Sequence, residues 1–270
     1  MAIEEPSISG LAGKTIVITG AAGGQGIAET ALLLACGATV IATDMAATLP
    51  DALASAVAKF STGFHYRQLD VSSEEAWQHT ASFAASLGHG VQGLVNNAGI
   101  PFRGRIGEIQ LEDWNRVFAI NTTGPMLGIQ AIAPLMGQGS SIVNVGSAAG
   151  LNAHYTVAYT ASKWALRGLT HATATEFGPR GIRTNIVHPG FIETPMMAAA
   201  PEIMRDAQLA LTPLERTGQP EDVAAVVAFL LSDLSGYVNG AEIPIDGGFT
   251  SSAGVKYMSD VIKKSHAGQK

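Results

Sequence analysis

Thr15-Ile16-Val17-Ile18-Thr19-Gly20-Ala21-Ala22-Gly23-Gly24-Gln25-Gly26 is the stretch whose reading decides the fold. Its first five residues are β-favouring and do not alternate polar with apolar, which marks a strand covered on both faces. Glycines crowd the next seven positions, and a helical pattern then runs from residue 25 to Cys36, closed by Gly37. Strand, glycine turn and helix in that order open a βαβ unit.

Working outward, the same alternation repeats. Further strand runs are predicted at residues 39–43, 66–70, 93–97, 141–145, 184–187 and 242–245. Helical patterns fall between them at 74–87, 111–136, 157–177 and 220–231. Near-continuous apolar strands separated by helices require a parallel sheet with both faces covered. The prediction is an α/β chain: one domain over residues 1–270, a Rossmann fold whose doubly wound, seven-stranded parallel sheet carries helices on both faces. Residues 190–213, rich in Pro, Met and Ala after a predicted strand, are expected to form a lid over the ligand crevice.

Composition narrows the function classes. At 47% hydrophobic and 14% charged residues, the chain has ample material for a core and is not a disordered segment. A net charge of -6 with no long basic run argues against a nucleic-acid surface; Lys263-Lys264 is too short for a basic arm. Cys36, the one cysteine, excludes an intrachain disulfide and a multi-cysteine metal site; no metal is expected. Residues 1–10 carry Glu4 and Glu5 and lack a secretory pattern, and the apolar stretch 27–42 is broken by Glu29, Thr30 and Gly37. The expectation is a soluble, cytoplasmic protein with neither membrane nor nucleic acid as partner.

The glycine loop suits a pyrophosphate, because its backbone can approach closely and the following helix presents free N–H groups. Gly20, Ala22, Gly24, Gln25 and Gly26 are the candidate contacts. Asp44, at the end of the second strand, can accept hydrogen bonds from ribose hydroxyls. A 2′-phosphate would meet that carboxylate repulsively, and no basic residue occurs from Thr15 to Ala58, so NAD is favoured over NADP. Asp70 and Val71, at the next strand end, either border the adenine or simply terminate the strand.

Tyr159-Thr160-Ala161-Ser162-Lys163 sets a phenol and an ammonium four residues apart, on one face of a predicted helix. An ordinary tyrosine, with a pKa of about 10, is a poor base at neutral pH, and a nearby cation favours its phenolate. Ser147 follows the strand 141–145, at a carboxyl end where such sheets bind ligands. Asn121 is an awkward helix residue, read either as functional or as a local kink near Gly124-Pro125. Tyr155 has Tyr159, not a lysine, four residues on.

With these residues assembled, the chain resembles the short-chain dehydrogenase/reductases over almost its full length. Gly20, Gly24 and Gly26, Asp70, Asn96-Asn97-Ala98-Gly99, Asn121, Ser147, Tyr159 with Lys163, and Pro189-Gly190 with Thr194 stand in the family's order. The resemblance implies that Tyr159 is the acid/base, that Lys163 holds the ribose and lowers the tyrosine pKa, and that Ser147 orients substrate. It further implies that Asn121 positions a relay water, that Asn97 borders the adenosine, and that Ile192 and Thr194 contact the nicotinamide. A homotetramer is also implied, through the long helices after the fourth and fifth strands. Gln25 departs from the family, which has an apolar residue there.

The expected activity is therefore NAD(H)-dependent interconversion of a secondary alcohol and a ketone. The substrate wall is expected from residues 100–102, 151–155 and 191–211, mostly apolar and including Met196, Met197 and Met204. It suits an apolar or cyclic alcohol better than a sugar. His154 reads as a surface histidine or as the one polar group of that wall. His188-Pro189-Gly190, Asp246-Gly247-Gly248 and Val255-Lys256-Tyr257 are similar to bacterial hydroxysteroid dehydrogenases, so a steroid-like alcohol is one expectation. The alternative class is an NAD-binding sensor or scaffold without turnover. Degenerate proteins of that kind lose Tyr, Lys or Ser, and all three are present here.

Overall fold

The computed structural model describes residues 8–198 and 201–267. Residues 1–7 of the segment 1–10 read for a secretory pattern, and the lid residues Ala199 and Ala200, lie outside the described residues, as do the side chains of Met196 and Ala198.

In chain order the elements are β1 (Thr15–Thr19), α1 (Gly24–Ala35), β2 (Thr39–Asp44), α2 (Asp51–Val57), β3 (Phe64–Gln68), α3 (Glu74–Ser86) and β4 (Gly93–Asn96). Then come α4 (Leu111–Phe118), a π turn (Ala119–Thr123), α5 (Gly124–Ile132), β5 (Ser141–Val145), α6 (Val157–Phe177) and β6 (Arg183–Pro189). The chain continues through α7 (Pro195–Ala198), α8 (Glu202–Leu211), α9 (Pro220–Leu231), β7 (Glu242–Ile245), α10 (Phe249–Ser252) and α11 (Val255–Ala267). All seven strands pair in parallel in the order β3-β2-β1-β4-β5-β6-β7. The doubly wound sheet is as predicted, and its order reverses between β1 and β4.

Two apolar cores flank the sheet. Leu33 and Leu34 of α1 pack with Val223, Val227 and Leu231 of α9 on one face. Trp77 and Ala84 of α3 pack with Ile129 and Ile132 of α5 on the other. Cys36 is buried as a small hydrophobe. Among the described residues no helix is long and apolar enough to cross a membrane, and no cluster of metal-ligating side chains occurs.

Besides α2, α7 and α8, which the pattern reading does not assign, the structure departs from it at β3, at the helix after β4 and at the C-terminus. Strand β3 ends at Gln68 rather than residue 70, because the Asp70 carboxylate already accepts from Ser72 N–H (2.9 Å) and Oγ (2.7 Å) to begin the turn into α3. The single helix expected over 111–136 is broken at the π turn. Pro125 has no N–H to give the carbonyl of Asn121 four residues earlier, and the Gly124 N–H instead reaches back to Ala119 O. The third departure is the C-terminal pair α10 and α11, which the pattern reading left unassigned although Val255, Met258 and Ile262 stand at helical spacing.

Candidate active site

The cleft lies over the carboxyl ends of β1 and β4, where the sheet order reverses. Its cavity measures about 400 Å³ and is bordered by Gly20, Ala22, Gly24, Gln25, Asp44, Asp70, Val71, Asn97 and Thr194, all predicted contacts. Two glycines are obligatory. Gly20 has φ of 65°, and a Cβ there would lie 2.8 Å from Ala98 Cα. A Cβ on Gly26 would lie 2.3 Å from Gly20 O, so Gly26 closes the turn from beneath rather than lining the cleft.

These residues fit a dinucleotide. Helix α1 begins with no side-chain cap and no acid in its first turn, which leaves its leading N–H groups for an anion. The Asp44 carboxylate accepts from Ala22 N–H (3.0 Å) and Met45 N–H (2.8 Å), so it braces the glycine loop while bordering the cleft. No lysine or arginine lines this cavity. Asn97, which borders the cleft, also braces the glycine loop. Its amide donates to Thr19 O and Gly20 O, both at 3.0 Å, and so holds the loop open. Ile192 is buried, bridges to Gly218 and lines a neighbouring cavity.

The proposed catalytic side chains converge at the adjacent end of β5. Ser147 leaves the strand with extended backbone, and its Oγ accepts from Ala149 N–H (3.1 Å). Helix α6 runs over the predicted residues and brings Tyr159 and Lys163 to the same place. Lys163 is buried and donates from Nζ to Val145 O at 2.7 Å. Asn121, fully buried in the π turn, grips Ile100 with both side-chain atoms, accepting from its N–H (2.9 Å) and donating to its C=O (3.0 Å). It also donates to Ser162 Oγ (3.1 Å), which ties the turn to α6. Gly99 lies between the two groups. A Cβ there would stand 3.3 Å from Asn121 Oδ1 and 3.4 Å from Lys163 Nζ.

The protein surroundings shift the Tyr159 phenol up, not down. Burial pushes the phenol above its ordinary value, and a hydrogen bond with Ser147 only partly opposes this. Lys163, 5.7 Å from the ring centroid, is itself pulled down to about 8 by burial. Desolvation is the largest influence on both groups.

Beside Tyr159 and Ser147 lies a cavity of about 130 Å³. Phe102, Phe191, Met197 and Met204 supply its apolar wall, as expected, and Phe249 adds a ring that the sequence did not indicate. Ile100 borders the cleft instead. His154 is half-buried and faces this cavity. Its Nδ1 accepts from Thr156 N–H (3.3 Å) and lies 2.8 Å from Thr156 Oγ1, and burial lowers its pKa.

A polar group missed in the sequence holds the Ser147 turn at both ends. His188, fully buried on β6, donates from Nδ1 to Ser147 O at 2.9 Å. Arg167 on α6 donates to Gly150 O at 3.0 Å. Both meet Glu242 on β7: Arg167 through ion-pair contacts of 2.9 Å, and His188 with Nε2 at 3.8 Å. Burial would raise Glu242, but hydrogen bonds from Arg167 and His171 keep it below its ordinary range. Three residues far apart in sequence thereby fix one turn.

Comparison with known proteins agrees with this geometry. A family profile described as enoyl-(acyl carrier protein) reductase matches residues 20–250. A 3-alpha-(or 20-beta)-hydroxysteroid dehydrogenase of Mycobacterium tuberculosis is 39% identical, over 88% of this chain and 90% of that protein. A trans-4-hydroxycyclohexanecarboxylate dehydrogenase of Sinomonas cyclohexanicum is 36% identical, over 89% and 94%. The crystal structure of a short-chain dehydrogenase/reductase, glucose/ribitol dehydrogenase, from Brucella melitensis superposes with a TM-score of 0.83 at 32% identity, covering 90% of this chain and 99% of that one.

Proposed function

The chain belongs to the short-chain dehydrogenase/reductase family of oxidoreductases, and we propose that within it the protein interconverts a cyclic or otherwise apolar secondary alcohol and its ketone with NAD(H). The observation that carries this reading is the meeting of Ser147, Tyr159 and Lys163 between a dinucleotide-shaped cleft and a small apolar cavity.

When bound, the dinucleotide takes or supplies the hydride at the substrate carbon. Tyr159 moves the proton at the substrate oxygen, and Ser147 orients that oxygen by a hydrogen bond. Lys163, behind Gly99 and outside the cleft lining itself, is the cation nearest the ribose position. Asn121 keeps the segment at Ile100 in place and, with its carbonyl released by Pro125, holds a relay water. The preference for NAD is supported by Asp44 at the cleft and by a lining without cations. The cavity supports a single ring as the group enclosed: an apolar cavity of about 150 Å³ holds one benzene. A four-ring steroid would extend well outside it. A homotetramer is supported by Leu111 on α4 and Trp164 on α6, both exposed. The acidic composition suits a cytoplasmic enzyme.

Purified protein is to be screened with NAD⁺ and NADP⁺ against ring alcohols, steroids, sugars and acyl thioesters. Oxidation of ring alcohols with NAD⁺ is expected, falling by at least about 100-fold in Tyr159→Phe while cofactor binding persists. Unchanged turnover in that variant refutes the mechanism. NADH binding with no turnover on the whole panel would favour a sensor, and thioester reduction with NADPH would redirect the substrate assignment.

A further inference from the structure

We infer that the ring substrate carries a carboxylate, received by Arg103 at the mouth of the Tyr159 cavity. This rests on the proposal that this cavity takes the substrate.

No aspartate or glutamate lines the cavity, and Arg103 is its one permanent charge. The cation is also conspicuous in the molecule. Of nine arginines, four are in ion pairs, two donate to backbone carbonyls, and two lie over aromatic rings. Arg103 alone has no such partner among the described residues. It is exposed, so its own hydration costs nothing to keep, and its planar fork matches a carboxylate in two parallel hydrogen bonds.

Burial and charge together orient the ligand. The reacting carbon must lie inside, against Tyr159 and Ser147, where rings and methionines alternate with Asn152, Thr156 and Gln208 and no permanent charge is present to pair an anion. A carboxylate cannot follow it there, because desolvating an unpaired charge is far costlier than leaving it at the rim. The acid is therefore placed across the ring from the hydroxyl, with the ring filling the space between. A protein of net charge -6 repels anions at a distance, which makes a local guanidinium the means of admitting one.

The test compares NAD⁺-linked oxidation of 4-hydroxycyclohexanecarboxylate, as both isomers, with the matching neutral carboxamide. The acid is expected to show kcat/KM about tenfold above the amide, as a charge-assisted pair contributes. Arg103→Gln should bring the ratio near one, Arg103→Lys should keep part of it, and added salt should lower it for the acid alone. Equal use of acid and amide, or a ratio untouched in Arg103→Gln, overturns the carboxylate but leaves the ring-alcohol reading. Turnover of no ring alcohol overturns both.

Discussion

Glu29 should make the stability of this protein fall with pH across the neutral range. It lies on α1, fully buried, and neither carboxylate oxygen has a hydrogen-bond partner among the described residues. Burial without compensation pushes its pKa from 4.5 to about 8. The folded state thus holds this proton more tightly than the unfolded chain. The stabilisation it gives is complete below the unfolded value and is lost as pH rises toward the folded one. Between about pH 5 and pH 8 the loss amounts to about 3 kcal/mol, because the slope of about 1.4 kcal/mol per unit is reached only midway and falls off near each pKa. Glu29→Gln removes the titration while keeping the shape. Urea unfolding at several pH values should show the two proteins nearly equal near pH 5 and the variant about 3 kcal/mol more stable near pH 8. A difference between them that stays flat with pH would refute the reasoning, because the carboxyl would then be ionised or solvated throughout.

The remaining predictions concern the active site. The pH profile of kcat/KM for alcohol oxidation should rise with pH through neutrality, because the Tyr159 phenol lies above its ordinary value, and should bend over at about 8 as Lys163 loses its charge. Lys163→Met should abolish that bend. His188→Asn retains a donor near the position of Nδ1 and should keep more of kcat than His188→Leu, by about tenfold, with the cofactor KM little changed. If leucine serves equally well, His188 only fills space. Asp44→Asn keeps an acceptor for Ala22 N–H but removes the charge, and should shift the NADP/NAD ratio of kcat/KM upward by about tenfold.

What the sequence determined by itself was whatever repeats along the chain. Residues 157–177 and 220–231 read as helices, and these are the bounds of α6 and α9, because apolar spacing and the Gln219-Pro220-Asp222 cap act within a few residues. Strand, glycine turn and helix placed the cleft, and four-residue spacing placed Tyr159 above Lys163. Tertiary structure decided the rest. The signs and sizes of the pKa shifts follow from how completely Tyr159, Lys163 and Glu29 lose water, and no local pattern records that. Asn97 braces the loop, and Ile192 bridges to Gly218, through pairings with residues distant in the chain. The hold of His188, Arg167 and Glu242 on Ser147 exists only because β5, β6 and β7 lie side by side in the sheet. Arg103 is distinguished only by what it does not touch. Periodicity is a one-dimensional property and survives in the sequence. Burial and long-range pairing arise when strand order brings distant segments together, and there the chemistry of this site was settled.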